Sequence, residues 1–145
     1  MTAQRIQVLV VEDNPVTRNS YRELLQSWGF ETRTAHNGIA ALVEIRQARP
    51  DIVLSDLEMP EMNGSELLTI LQRIYPEVRV VAMSGSYSGY EVPPGVRADA
   101  FYPKGTGSIQ RLRQFLNEAA ETISQPRSAI LSGIPSPLFR SCSTR

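Results

Sequence analysis

The chain holds one cysteine, one histidine, one tryptophan and one lysine in 145 residues, and the scarcity of the first two removes classes of function. The lone thiol, Cys142, cannot close an internal disulfide or build a zinc cluster, and no catalytic partner surrounds it in its polar stretch. The lone imidazole, His36, precedes a helical pattern and has no other histidine with which to share a metal, so it reads as a loop residue. Charge of one sign is also missing: 15 Lys and Arg balance 15 Asp and Glu, which leaves no electrostatic footprint for nucleic acid or an anionic membrane. No apolar run approaches the ~20 residues of a membrane span, and the amino terminus has no signal-type apolar core. The expectation is a cytoplasmic protein with no membrane partner and no direct DNA binding.

The shortage of lysine points the other way, toward a site. Lys104 is the only lysine among 15 basic residues. An ammonium is a compact point charge and a guanidinium a wide planar fork, so a single Lys in an arginine-biased chain marks a position where compactness counts.

Hydrophobic content of 41% and charged content of 21% are ordinary for a globular protein, and a chain of this length forms one domain able to bury about two-thirds of its unfolded surface. Five short β-branched or aliphatic runs alternate with amphipathic stretches. Residues 6–11 read as a buried strand ending at Glu12 and Asp13, after which Asn14 caps a helix with Pro15 in its first position, running to Trp28 and stopped by Gly29. Val16, Tyr21, Leu24, Leu25 and Trp28 are expected on its core face, which makes Trp28 a packing residue. A weaker strand over 30–35 leads through Asn37-Gly38 to a helix carrying Ile39, Leu42, Val43, Ile45 and Ala48.

The third run, Ile52 to Leu54, breaks at Asp56, and Pro60 and Gly64 punctuate the turn that follows. A helix over 65–75 with Leu67, Leu68, Ile70, Leu71 and Ile74, a strand over 78–83 ending in Ser84-Gly85, a strand over 98–103 ending at Lys104, and a last helix with Ile109, Leu112, Leu116, Ala119 and Ile123 complete the pattern. Between the last two strands, Gly89, Pro93, Pro94 and Gly95 forbid a multi-turn helix, and residues 86–95 are expected to form a mobile loop.

Alternating strands and helices with right-handed crossovers imply an α/β, flavodoxin-like (βα)5 fold. It is a doubly wound parallel five-stranded sheet of order 2-1-3-4-5 with a short or irregular fourth helix. In that order the ends of strands 1 and 3 are neighbours at the switch point, where ligands bind. A strand-end Asp alone is a common turn residue, but this topology brings Glu12, Asp13 and Asp56 together, and three close carboxylates need a cation. Mg²⁺, which prefers one or two carboxylates, a carbonyl and phosphate oxygens, suits Asp13, Asp56 and the carbonyl of Glu58. Ser84 and Lys104 end the adjoining strands and add a hydroxyl and an ammonium, a set suited to phosphoryl transfer onto Asp56.

Five segments in order carry a resemblance. They are Val10-Val11-Glu12-Asp13-Asn14, the stretch from Ala35 through Asn37-Gly38 to Leu42, the stretch from Pro50 through Asp56 and Pro60 to Gly64, the stretch from Val80 to Ser84-Gly85, and the stretch from Ala98 through Phe101 to Lys104. Over residues 5–124 the chain resembles the CheY-like receiver domains of two-component response regulators. The resemblance implies that Asp56 accepts a phosphoryl group and that Glu12 and Asp13, with Asp56 and Glu58, hold Mg²⁺. It further implies that Ser84 follows the phosphoryl group, that Lys104 pairs with it, and that Phe101 is the switch aromatic that moves inward.

It implies as partners a sensor histidine kinase or a phosphotransfer protein together with an output protein, and a phospho-acceptor that loses its phosphate by self-hydrolysis without being a turnover enzyme. Two departures stand out: Gly105 follows Lys104 where the family usually has a cis proline, and the 86–95 stretch replaces a regular fourth helix.

Residues 1–124 are therefore expected to be the receiver domain and 125–145 a Ser/Pro-rich flexible tail. A stand-alone receiver is the leading reading, and a receiver fragment of a hybrid kinase or larger regulator is the alternative. A Mg²⁺-dependent phosphatase of the haloacid dehalogenase type, with Glu58 as its second acid, and a pseudo-receiver that binds without phosphorylation are lesser readings.

Overall fold

The computed structural model describes residues 5–124, so the expected tail at 125–145 lies outside the described residues. Nine elements follow in order: β1 (Gln7–Val11), α1 (Pro15–Ser27), β2 (Glu31–Ala35), α2 (Gly38–Gln47), β3 (Ile52–Asp56), α3 (Gly64–Ile74), β4 (Arg79–Ser84), β5 (Ala100–Pro103) and α4 (Ile109–Ser124). The strands form one parallel sheet in the order β2-β1-β3-β4-β5, as the alternating pattern requires.

Side chains of a strand alternate between faces, and here both faces are covered, which is why the central strands read as unbroken apolar runs. Val8, Val10, Ile52, Leu54, Val81, Met83 and Tyr102 pack beneath α1 and α4, against Leu25, Leu112, Phe115 and Leu116. Their neighbours Leu9, Val11, Val53, Val80, Ala82 and Phe101 pack on the opposite face with Ala41, Ile45, Leu67, Leu68 and Leu71. All five residues of β3 are buried, Asp56 among them.

Asparagines start three of the helices as they leave the upper edge of the sheet. Asn14 accepts the N–H of Thr17 at 3.0 Å and Asn37 that of Ala40 at 2.7 Å. Asn63 accepts from Glu66 at 2.9 Å, while the Glu66 carboxylate accepts the Asn63 N–H at 3.1 Å, a reciprocal cap that starts α3 one residue before the expected Ser65. At the lower edge two aspartates finish the ladder: Asp51 accepts the N–H of Gln7 and Asp99 that of Val80, each at 2.8 Å.

Several helix stripes differ from the expected ones. Val16, at 74% exposure, stands in the first turn of α1 with no layer above it, and Ile74 and Ile109 lie at helix ends in the same situation. In α2 the inward residues are Gly38, Ala41 and Ile45, whereas Ile39 and Val43 face solvent. Every position from Ile39 to Val43 is apolar, so the pattern does not set the rotation of this helix; the Asn37 cap and the seating of Gly38 on Met62 do.

The connection from β4 to β5 holds no regular helix, as expected, and contacts tie it to the rest of the fold at several points. Val92, Val96 and Ala98 pack into the α2/α3-side core, in the place a helix would cover. Tyr87 meets Phe101 edge-on at 5.8 Å. Tyr90 packs against Phe115 at 5.9 Å, lies under the Arg111 guanidinium at 5.0 Å, and accepts the N–H of Ser108 at 3.0 Å through its hydroxyl. Arg97 donates to Gln72 at 2.8 Å. These contacts are distant in sequence and tie the connection to β5 and to the start of α4, where local propensity supplies no helix.

Two outcomes follow from this packing. A Cβ on Gly64 would lie 2.2 Å from the Asp56 carbonyl oxygen and 2.6 Å from the Leu57 Cα, both backbone atoms that cannot swing aside. Gly64→Ala should cost about 2–3 kcal/mol in urea unfolding, and a loss under ~0.5 kcal/mol would show that the turn after Asp56 is not tightly held.

Burial raises the Asp99 carboxyl above its ordinary 3.8, against the lowering effects of the Val80 N–H and of Arg79. A raised folded pKa means that the folded state binds the proton more tightly, so stability should fall as pH rises from about 3.8 through the folded value. Asp99→Asn, which keeps an oxygen for Val80, should lack this decline when urea midpoints are compared across pH. A wild type that gains on the variant with rising pH would contradict it.

Candidate phosphoryl-acceptor site

Register decides which side chains meet at the upper edge. Val11 pairs with Ser55, Asp56 with Met83 and Ser84 with Pro103, so Glu12, Asp56, Ser84 and Lys104 leave adjacent strand ends together. Backbone bonds from Leu57 N–H to the Met83 oxygen and from Lys104 N–H to the Ser84 oxygen, each 2.9 Å, carry the ladder one step past the strands and fix the turns.

At the centre is the Lys104 ammonium, which donates to Glu12 Oε1 at 2.8 Å and to Asp56 Oδ2 at 3.1 Å. Both carboxylates are almost fully buried, with side-chain exposures of 2% and 4%, so one cation answers two acids in a low-dielectric pocket. Burial works against the charged lysine, but the hydrogen bonds to Glu12 and Asp56 outweigh it and raise its pKa. Burial pushes the Glu12 carboxyl up; the Lys104 hydrogen bond pulls it down and the Asp56 charge pushes it up again. Tyr21, packed beneath this group, is pushed up to about 12, first by burial and then by the nearby Tyr102.

Carboxylate oxygens of Glu12, Asp13 and Asp56 lie within 4.8 Å of one another, with Asp13 open to solvent. Hard oxygen donors on one exposed and two buried acids suit a small divalent cation that retains water. The second oxygens of the two buried acids have partners: Glu12 Oε2 accepts the Asn14 N–H at 3.2 Å and Asp56 Oδ1 accepts the Glu58 N–H at 3.0 Å. Among the described residues, no buried side-chain oxygen or nitrogen lacks a hydrogen-bond partner.

Ser84 is completely buried, and its hydroxyl oxygen accepts the Ser86 N–H at 3.0 Å. Glu58 joins the acid cluster through its backbone only, because its carboxylate turns away to accept the Ser86 hydroxyl. Phe101 lies at 0% exposure beneath Tyr87, so the inward position expected only after phosphorylation is already filled. It faces the α2/α3 layer because β5 alternates, leaving Ala100 and Tyr102 on the other side.

Two participants escaped the sequence reading. The Arg18 guanidinium donates to the backbone oxygens of Glu12 at 3.0 Å and Asp13 at 3.4 Å, bracing the acid pair from one turn into α1. Ser86 is two residues from Ser84 in a stretch with three serines in five positions, and nothing local singles it out.

Among the described residues, no helix is long and apolar enough to cross a membrane. Residues 8–102 match the response regulator receiver domain family. The polar-differentiation response regulator DivK of Brucella anthropi is 35% identical over 82 residues, 53% of this chain and 67% of DivK. The DNA-binding response regulator MtrA of Mycolicibacterium smegmatis is 32% identical over 133 residues, 86% of this chain but only 58% of MtrA.

Among solved structures, TrrA of Thermotoga maritima in complex with Mg²⁺-BeF superposes with a TM-score of 0.69 at 27% identity, covering 79% of this chain and 98% of TrrA. TrrA bound to the histidine kinase ThkA gives 0.70 at the same identity, over 79% of this chain and 97% of that one. With the sheet order, the acid-lined edge and a family match across most of its length, the chain belongs to the response regulator receiver domain family, the phosphate-receiving part of two-component signalling.

Proposed function

We propose that Asp56 accepts a phosphoryl group from a histidine kinase or a phosphotransfer protein and that the acyl phosphate alters a protein-binding surface. The observation that carries this reading is the position of the Asp56 carboxylate, buried at a strand end, within 4.8 Å of two further acids and 3.1 Å from the only lysine. A carboxylate so placed is a nucleophile with its counter-charges already assembled.

In the transfer, Asp56 Oδ attacks phosphorus, the bond from phosphorus to the donor histidine nitrogen breaks, and that nitrogen keeps the electron pair. Lys104 is in position to follow the new phosphoryl oxygens, giving up its bond to Asp56 Oδ2 while Glu12 still holds it. The Ser84 hydroxyl, one strand away, supplies a donor to the same oxygens. Asp13 and Asp56, with the Glu58 carbonyl and Glu12 behind them, would hold Mg²⁺, which when bound neutralises charge on the transferring group.

A shift of Ser84 toward the phosphoryl group pulls on Ser86 and Tyr87, and through Tyr87 on Phe101, so the switch reading centres on repacking of this pair rather than on inward rotation of Phe101. The partner reading is supported by TrrA, whose complex with ThkA is a receiver seated on a kinase.

A phosphatase reading is not favoured, because Glu58, the acid two residues on, is engaged by Ser86. The chain is proposed to act stoichiometrically, losing phosphate by hydrolysis, in the cytoplasm, where two-component kinases present their phosphohistidine. With acetyl phosphate and Mg²⁺, intact mass should show one added phosphate on the wild type and none on Asp56→Asn. Equal labelling of the variant would place the acceptor elsewhere.

A further inference from the structure

We infer that residues 134–140, which lie beyond the described part of the chain, dock on their own domain in the groove of the β4–β5 connection, with Pro135, Pro137 and Phe139 on Tyr87 and Tyr90 and Arg140 at Glu91. The inference does not depend on the reading of Asp56 as acceptor.

Tyr87, Tyr90, Glu91, Val92, Pro93 and Pro94 line a groove of about 290 Å³. Pro93 is buried and Val92 half-buried, whereas the two tyrosines, Glu91 and Pro94 are exposed. Tyr87 keeps 50% of its surface open although its ring meets Phe101, and Tyr90 keeps 37% although Phe115 and Arg111 hold it. Ile109, also exposed, adjoins Tyr90, whose hydroxyl accepts the N–H of Ser108. The other exposed large apolar side chains among the described residues, Val16, Ile39, Val43 and Ile74, lie on α1, α2 and α3, so open aromatic surface gathers at this corner.

The occupant follows from composition, charge and reach. Residues 125–145 carry Arg127, Arg140 and Arg145 and no acid, and Glu91 is the one charged residue lining the groove. The Arg111 guanidinium lies over the rings of Tyr90 and Phe115 at 5.0 and 5.2 Å, so an arginine-bearing segment is directed to Glu91 and away from the start of α4. Pro135 and Pro137 favour an extended polyproline-type backbone that loses little entropy on binding, and grooves lined by aromatic rings are surfaces on which such backbones seat. Leu138 and Phe139 add apolar area for the open rings to cover.

Tyr90 packs at Arg111 and Phe115, and Arg111 lies about 20 Å along α4 from Ser124. The 11 residues from Gln125 to Pro135 span up to about 36 Å when extended, so the segment arrives with slack. A tether of this length holds it near the groove at an effective concentration on the order of millimolar, and a modest contact is then enough. A docked segment covers Tyr87 where it lies on Phe101, so another protein reaching this corner must first displace it.

The lone thiol of Cys142, two residues past Arg140, allows the test on the full chain. A nitroxide attached there should broaden the amide NMR signals of residues 87–92 and 108–111 about threefold or more beyond those of α2. The pattern should survive dilution, and should be absent when isotope-labelled Cys142→Ser chain is mixed with unlabelled chain bearing the nitroxide. Glu91→Lys, which sets like charge against Arg140, should weaken the selective broadening about twofold, and Leu138→Ser combined with Phe139→Ser should abolish it. Even broadening across the domain, or broadening centred on the exposed Ile39 and Val43 of α2, would overturn the inference. Broadening in the mixed sample would assign the groove to a second copy, and indifference to either set of substitutions would show that the nitroxide and not the segment seeks it; each overturns the inference as well.

Discussion

One ammonium between two buried carboxylates is the constraint on which the rest of this structure depends. Lys104 reaches Glu12 and Asp56 across the ends of three strands, and those acids are nearly inaccessible to water. Removing charge from water costs several kcal/mol per ion, recovered only when geometry and hydrogen bonding are good, so the strand ends must be held in register for the trio to exist. The backbone ladder that runs past Asp56 and Ser84 into the turns provides that hold. The balance is incomplete: Glu12 and Asp56 share one lysine, and the exposed Asp13 carboxylate beside them makes a negative cluster of the kind that could hold a divalent cation.

The same edge explains the departures elsewhere. Gly64 begins α3 pressed against the backbone of Asp56 and Leu57, so the helix start and the turn after Asp56 are one unit. On the far side of Ser84 the chain gives up a helix for a stretch clasped by Ser86, Tyr87 and Tyr90, each touching a different part of the molecule: the turn after Asp56, the β5 aromatic and the start of α4. A regular helix would present one face to the core; this stretch instead threads three anchors in five residues.

Much of this was legible in the residues themselves. Strands buried on both faces must be continuous apolar runs, and Ile52-Val53-Leu54 and Val8-Leu9-Val10-Val11 could be nothing else, so sheet order and the meeting of Glu12, Asp56, Ser84 and Lys104 followed from topology. The single lysine was legible for a chemical reason, its compact charge.

What was hidden depends on contacts between distant residues. The rotation of α2 could not be read where Ile39 through Val43 are all apolar. The contacts that tie down residues 86–95 could not be read either, because glycine and proline content reports only helix propensity and says nothing of the Tyr90–Arg111–Phe115 stack. Glu58 was legible as a position near Asp56, but the direction of its carboxylate depends on Ser86, 28 residues away.

The claim that the Lys104 pairings organise the site is tested most directly by urea unfolding of Lys104→Met without divalent cations, alone and combined with Glu12→Gln and Asp56→Asn. Leaving two buried carboxylates without their cation should cost about 2–4 kcal/mol, and neutralising both acids in the same chain should restore most of it. If Lys104→Met unfolds at the wild-type midpoint, or if neutralising the acids recovers nothing, the buried charges do not depend on the lysine and the account fails at its centre.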